Sequence, residues 1–230
     1  MLTIVPTPIG NLKDITLRSL EALQDCDGII CEDTRRTSLL LNNYQIKKEL
    51  FILNDFNEKA QLEKIISIVQ TGNYCLVSDA GTPLVSDPGF KLIRECLAKN
   101  IKVDSLPGAS SILPALTLSG LPPNSFYFCG YPPDKPGHRK QLWEQLKAIS
   151  ELSTTTFIVF MAPFKVNKTL VEMIETLGDV EVVLARELTK IHQEVKKQTI
   201  SQWLAEFKKK KPRGEYVALV YLPQGSTKNQ

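Results

Sequence analysis

Short apolar runs alternate with amphipathic stretches from the first residues of this 230-residue chain. "LTIV", "DGIIC", "LFIL", "YCLV" and "IKVDSL" are rich in Ile, Val and Leu, and they read as strands of a mostly parallel sheet. Between the third and fourth runs, "NEKAQLEKIISIVQTG" places Leu62, Ile65, Ile66 and Val69 on one helical face, with Asn57 as N-cap and Gly72 just past the end. That is one βαβ unit. A further helix, "FKLIRECLAKN" from Phe90, follows the segment "SDAGTPLVSDPG" directly. Residues 78–89 therefore form a loop between the carboxyl end of a strand and a helix N-terminus, where open α/β sheets bind ligands.

After "PGASSILPALTLSGLPPNSF" the pattern changes, because Pro122, Pro123, Asn124 and Ser125 break any helix and read as a linker. Beyond it "FYFCGY", "TTTFIVFM", "VEVVLA" and "EYVALVYL" read as strands, and "RKQLWEQLKAI", "VNKTLVEMIETLG" and "SQWLAEFKK" as helices. "HQEVKKQTI" reads as the return of a hairpin, so this sheet is expected to be mixed. The prediction is an α/β protein of two lobes with a cleft between them: residues 1–120 with a mostly parallel sheet, residues 121–224 with a mixed one, and a frayed tail over 225–230.

Composition narrows the class. Hydrophobic residues make up 43% and charged residues 23%, as in ordinary globular proteins. No apolar run is long enough to span a bilayer and the N-terminus lacks a signal-peptide pattern, so a cytoplasmic protein is the expectation. The five cysteines are odd in number and scattered, which points to reduced, buried thiols; with two histidines and no CxxC pair, no metal site is expected. The net charge of +3 is unevenly spread: residues 186–213 hold nine Lys or Arg against three Glu. Within that stretch the run Lys208 to Lys211, followed by Arg213, could bind phosphates or simply be a solvated helix end.

Neither G-x-G-x-x-G nor G-x-x-x-x-G-K-[ST] occurs, which removes the main support for a nicotinamide dehydrogenase or a P-loop nucleotidase. Instead, "VPTPIGNLKDIT" stiffens the turn after the first strand, and "CEDTRRT" follows the second with Glu32, Asp33, Arg35 and Arg36. Those four could form structural ion pairs, or could serve a ribose hydroxyl and a neighbouring phosphate. In "SDAGTPLVSDPG" two Asp, two Gly and two Pro make a long loop through which backbone can approach a ligand. "LPGASS" repeats the arrangement after the next strand, with Ser110 and Ser111 at a helix N-terminus. "GYPPDKPGHRK" adds Lys135, His138, Arg139 and Lys140, and "ARELTK" adds Arg186, Glu187 and Lys190; together they suit an anionic substrate such as RNA or a polycarboxylate.

In that order, "VPTPIGNLKDIT", "CEDTRRT", "SDAGTPLVSDPG", "PGASS…ALTLSGLP" and "ARELTK" resemble the bacterial small-subunit ribosomal RNA cytidine 2′-O-methyltransferases, a branch of the tetrapyrrole-methylase superfamily. The resemblance runs from Leu2 to about Leu222. It implies a class III methyltransferase fold, a homodimer, and S-adenosylmethionine bound folded between two lobes. It also implies small-subunit ribosomal RNA, or the 30S subunit, as the methyl acceptor. By resemblance the cofactor contacts are Pro8, Asp79, Ala80, Gly81, Val85, Ser86, Ser110 and Ser111, then Met161, Ala162, Leu188 and Ala218. Two departures stand out. "APFKV" puts Phe164 and Lys165 where relatives usually carry a His-Arg pair, and the small helical C-terminal extension of many relatives is missing after "VYLPQGSTKNQ".

Methyl transfer to a ribose hydroxyl needs alignment and one proton acceptor. Glu32 or Asp33 is the expected base, Arg35 and Lys190 the electrostatic or phosphate contacts, and Arg36, Lys135, Arg139 and Arg186 the substrate-binding residues. Methylation of a tetrapyrrole carbon and a non-catalytic RNA-binding relative are the competing readings.

Overall fold

A computed structural model describes residues 1–222, so the tail expected over 225–230 lies outside the described residues. The chain divides into two compact units, Met1–Ser110 and the segment from Ser111 onward.

The first unit runs β1 (Leu2–Ile4), α1 (Leu17–Asp25), β2 (Gly28–Cys31), α2 (Thr34–Asn43), β3 (Glu49–Ile52), α3 (Glu58–Thr71), β4 (Tyr74–Leu76), α4 (Phe90–Ala98) and β5 (Val103–Ser105). Its strands are ordered β3-β2-β4-β1-β5, every neighbouring pair parallel. Alternation within each short strand feeds two apolar layers. Ile30 and Leu76 join Ile65, Ile66, Val69 and Leu92 of α3 and α4 on one side, while Ile29, Cys31 and Cys75 join Leu23 and Leu41 of α1 and α2 on the other. The helical face expected from Leu62, Ile65, Ile66 and Val69 is the one that packs. Helices α1 and α2 were not legible in the sequence. The second buries only Thr37 and Leu41, too narrow an apolar stripe to reveal a helix.

The second unit runs α5 (Ile112–Leu118), β6 (Phe126–Phe128), α6 (Pro136–Leu152), β7 (Thr156–Met161), α7 (Val166–Leu177), β8 (Glu181–Arg186), β9 (Glu194–Thr199), α8 (Ile200–Lys209) and β10 (Tyr216–Tyr221). Its order is β6-β7-β10-β8-β9, with β6 parallel to β7 and the other pairs antiparallel, including the β8–β9 hairpin. The mixed sheet expected from "HQEVKKQTI" is therefore present. One face packs Phe157, Val159, Tyr216, Ala218 and Val220 against Trp143, Leu170, Met173, Trp203 and Phe207 of the three long helices. Helix α5 packs against β10 and belongs with this unit. The proline pair at Pro122 and Pro123 therefore lies inside the second unit; Thr156 Oγ1 donates to the Pro122 carbonyl at 2.7 Å. Among the described residues no helix is long and apolar enough to cross a membrane.

Candidate active site

Because all strands of the first sheet run in parallel, the loops after β1, β2, β4 and β5 emerge at one edge. Strand β4 lies between β2 and β1, so residues 78–89 are flanked by "CEDTRRT" on one side and "PTPIG" on the other. Hydrogen bonds fix the loop. Thr7 and Gly81 exchange a reciprocal backbone pair, 2.9 Å from the Thr7 N–H and 2.8 Å from the Gly81 N–H, and Thr7 Oγ1 donates to the Ser78 carbonyl at 3.2 Å. Thr82 Oγ1 donates to the Ala109 carbonyl at 2.9 Å, which ties in the loop after β5.

Glycines make this approach possible at two points. Gly81 sits at φ +87°, where a side chain would be strained, and a Cβ on Gly108 would fall 2.7 Å from Pro6 Cβ. Leu84 and Ser86 also lie in the left-handed region, at φ 74° and 70°. Each such residue costs roughly 1–2 kcal/mol, and strain of this kind gathers at ligand-binding and switch segments. The loop ends at Gly89, which caps α4 without a side-chain hydrogen bond; Glu58 of α3 instead accepts from the Lys91 N–H at 3.2 Å.

The acidic and basic residues beside this loop divide their tasks. Asp33 caps α2: Oδ1 accepts from the Arg35 N–H at 2.8 Å, and the Arg35 guanidinium grips Oδ2 at 2.6 Å. Those bonds hold the Asp33 carboxyl down at about 2. Asp33 is thereby a cap and an ion-pair partner, and its neighbour Glu32 is in a different state. Among the described residues Glu32 accepts no hydrogen bond, and burial, reinforced by the nearby carboxylates of Asp79, Asp87 and Asp55, raises its pKa while Arg36 opposes the rise. Arg36 Nε lies 3.3 Å from Asp79 Oδ2 and leaves the buried Oδ1 of Asp79 without a partner. Burial raises the Asp79 pKa, with Arg36 pulling the other way. Burial also pushes Asp87 up to about 6, with the nearby Ser78 hydroxyl opposing the rise.

In the second unit, Met161 and Ala162 at the end of β7 line a cavity of about 460 Å³ together with Tyr131, Pro132, Pro133 and Lys168. Arg139 reaches this cavity but is committed inside the protein: Nε and Nη2 clasp Glu172 at 2.6 and 2.8 Å, and Nη1 donates to the Pro133 and Asp134 carbonyls at 2.9 and 2.5 Å. It pins the proline-stiffened loop and is not free to grip substrate. Lys165 pairs with Asp134 at 2.7 Å and stands 5.6 Å from the Phe164 ring centre, so the two residues that depart from the family pattern interact with each other.

The "ARELTK" segment turns through two left-handed residues, Glu187 at φ 50° and Thr189 at φ 64°. Lys190 Nζ lies 3.1 Å from Glu187 Oε1, and Arg186 Nη2 reaches Glu194 at 2.8 Å while its Nε is buried without a partner. Leu188 is buried, and Ala218 is buried within β10 opposite Val159 and Leu184. Lys135 caps α6 from an exposed position. The parallel edge thus gathers Pro8, Glu32, Asp33, Arg36, the segment 79–86 and Ser110 in the first unit, while Ser111, Met161, Ala162, Leu188, Lys190 and Ala218 lie in the second. Sequence reasoning missed Thr7 as the loop's anchor and Asp87 as a perturbed carboxyl. The Pro-flanked Thr7 carries no signal of its long-range pairing, and the Asp87 shift comes from burial that only the folded loop creates. Among the described residues no group of three or more His, Cys, Asp or Glu is placed to hold a metal ion.

The family model of the tetrapyrrole (corrin/porphyrin) methylases matches residues 1–203. The chain belongs to that family. It is a methyltransferase whose similar relatives include a protein named ribosomal RNA small subunit methyltransferase I from Thermotoga maritima, 42% identical over 95% of this chain and 97% of the relative. Proteins of the same name from Mycoplasmopsis pulmonis and Escherichia coli O157:H7 are 42% and 43% identical, over 97% and 77% of their own lengths. A solved structure titled diphthine synthase superimposes with a TM-score of 0.74 at 17% identity, covering 96% of this chain and 89% of that one, and shows the shared fold. The α/β architecture with one parallel and one mixed sheet is that of this tetrapyrrole methylase, as the sequence resemblance implied.

Proposed function

We propose that this chain transfers the methyl group of S-adenosylmethionine to the ribose 2′-hydroxyl of a cytidine in small-subunit ribosomal RNA, as a cytoplasmic homodimer. The observation that carries the reading is the 42% identity, over nearly the full length of both chains, to a relative named for small-subunit ribosomal RNA methylation. The loop chemistry fits the donor. Asp79 Oδ1 is a buried acceptor that needs a hydrogen-bond donor, and S-adenosylmethionine offers ribose hydroxyls and an ammonium group. Pro8, Asp79, Ala80, Gly81, Val85, Ser86, Ser110 and Ser111 are the proposed contacts there. Met161, Ala162, Leu188 and Ala218 are the proposed contacts of the second unit.

S-adenosylmethionine supplies an electrophilic methyl group on sulfur. The chain's own part is to hold the acceptor oxygen in line and take its proton. Glu32 is the proposed base, because its raised pKa makes it a stronger proton acceptor than the salt-bridged Asp33. Arg35 and Lys190 are proposed to stabilise charge near the reacting oxygen or a phosphate, with Arg36, Lys135 and Arg186 binding substrate. Arg139 acts indirectly, by holding the loop that carries Lys135.

The test is to incubate the protein with radiolabelled S-adenosylmethionine and, separately, small ribosomal subunits from cells lacking the activity or a polycarboxylate tetrapyrrole. Label on the RNA alone is expected. Label on the tetrapyrrole alone would overturn the substrate assignment, and RNA binding without transfer to either would leave a non-catalytic relative.

A further inference from the structure

The charge balance of residues 186–213 identifies a surface that no site residue above accounts for. This stretch holds nine cations and three carboxylates. Each carboxylate is already taken: Glu187 by Lys190 at 3.1 Å, Glu194 by Arg186 at 2.8 Å, and Glu206 by Lys196 at 2.5 Å, with Gln198 donating to the same Glu206 oxygen at 2.8 Å. Lys197 finds its partner outside the stretch, Glu181 at 3.0 Å across the hairpin. Among the described residues Lys208, Lys209, Lys210, Lys211 and Arg213 are left without an ion-pair partner, and all five are exposed.

Local structure keeps them together. Helix α8 ends at Lys209, so Lys208 and Lys209 complement the negative end of its dipole. Lys210 is the extended C-cap, and the chain continues without helix through Arg213 into β10. The helix is well anchored beneath them. Trp203 and Phe207 stack with ring centres 5.5 Å apart, Trp203 Nε1 donates to the Val182 carbonyl at 2.9 Å, and Thr199 and Gln202 close a capping box at the other end. Lys210 and Lys211 also line a small depression shared with Arg186, whose Nε is buried and unpartnered, so the free cations are continuous with the start of "ARELTK".

Helix-dipole compensation accounts for two lysines at most. Four consecutive lysines and Arg213, none with an ion-pair partner among the described residues, match a polyanion whose charges repeat along a chain. We infer that Lys208 to Lys211 and Arg213 form a docking track for the phosphodiester backbone of the ribosomal RNA substrate, entering the site region beside Arg186. The inference rests on the RNA reading of the preceding subsection. The track binds without regard to sequence, since phosphates carry no base information.

The experiment compares the full chain with K208Q/K209Q/K210Q/K211Q/R213Q, and with a second variant in which the four lysines become arginine. Binding of naked small-subunit ribosomal RNA is followed by fluorescence anisotropy across a salt series, alongside methyl transfer and S-adenosylmethionine binding. Each phosphate contact contributes about 0.7 to the slope of log K against log salt for a single strand, so the glutamine variant is expected to bind with a slope shallower by about 3 and at least about tenfold more weakly. Its donor binding should be unchanged, and the arginine variant should keep the parent slope. Equal slopes for parent and glutamine variant, with the parent still labelling RNA, would overturn the track and leave the RNA reading standing. A parent that labels no RNA overturns that reading and the track with it. Loss of binding to phosphatidylglycerol vesicles but not to RNA in the glutamine variant would assign the surface to a membrane and overturn the inference.

Discussion

Arg36 Nε lies 3.3 Å from Asp79 Oδ2, joining helix α2 to the loop after β4 through a single ion pair while the second carboxylate oxygen stays buried and unsatisfied. The pair explains why Asp79 tolerates burial, and it gives the two aspartates of "SDAGTPLVSDPG" different work. Asp79→Ala should weaken S-adenosylmethionine binding more than Asp87→Ala does, by about tenfold if one charge-assisted hydrogen bond is lost. Isothermal titration of both variants checks this, and the reverse order would contradict the assignment.

Glu32→Gln should retain donor binding and lose about 10²–10⁴-fold in methyl transfer, the usual contribution of a positioned base. In the parent protein kcat/KM should rise with pH as Glu32 ionises, with its midpoint above the ordinary glutamate value because burial and neighbouring carboxylates raise the pKa. The limb should vanish in Glu32→Gln. Asp33→Asn should act differently, keeping the helix cap because an amide oxygen accepts the same Arg35 N–H, losing only the exposed pair with the Arg35 guanidinium, and leaving the midpoint of that limb in place.

Asp87 gives a stability signature of opposite sign to a salt-bridged carboxylate. Its folded pKa of about 6 lies above the unfolded value, so the fold favours the protonated form and the ionised form is a burden. The burden appears as pH rises above about 4, grows until about 6 and is constant beyond. Asp87→Asn should therefore stabilise the protein at pH 8 by about 1 kcal/mol, after allowance for solvent screening, and by nothing measurable at pH 4. Thermal unfolding at the two pH values provides the comparison.

Thr199 accepts from the Gln202 N–H and Gln202 reaches back to the Thr199 N–H, so both ends of the capping box are made. Thr199→Ala should cost about 1 kcal/mol and lower Tm by about 2–4 °C, with methyl transfer at 25 °C unaffected. Thermal unfolding monitored by circular dichroism measures it.

Much of this molecule was legible in its periodicity. The five runs of the first lobe became its five parallel strands; β1, β2 and β4 in the middle of the sheet are buried between helices on both faces, while the edge strands β3 and β5 are partly exposed and carry Glu49, Asp104 and Ser105. Helix α2 stayed hidden because it opens with the very residues that look like site chemistry, Asp33 as cap and Arg35 as its partner. The same ambiguity separated Glu32 from Asp33 only once the cap was seen. Arg139 looked like a substrate cation on a surface loop, yet its partner Glu172 lies on α7, a pairing no local pattern encodes. The bonds of Thr7 with Gly81 and of Thr82 with Ala109 likewise join residues far apart along the chain, which no local pattern encodes.

The central claim is ribose methylation assisted by Glu32, and nucleoside mass spectrometry of labelled small-subunit RNA tests it most directly. After incubation with the parent protein, digestion should release 2′-O-methylcytidine carrying the label, and Glu32→Gln with intact donor binding should yield about a hundredth as much or less. Label on a base instead of the ribose, or undiminished 2′-O-methylcytidine with Glu32→Gln, would contradict it.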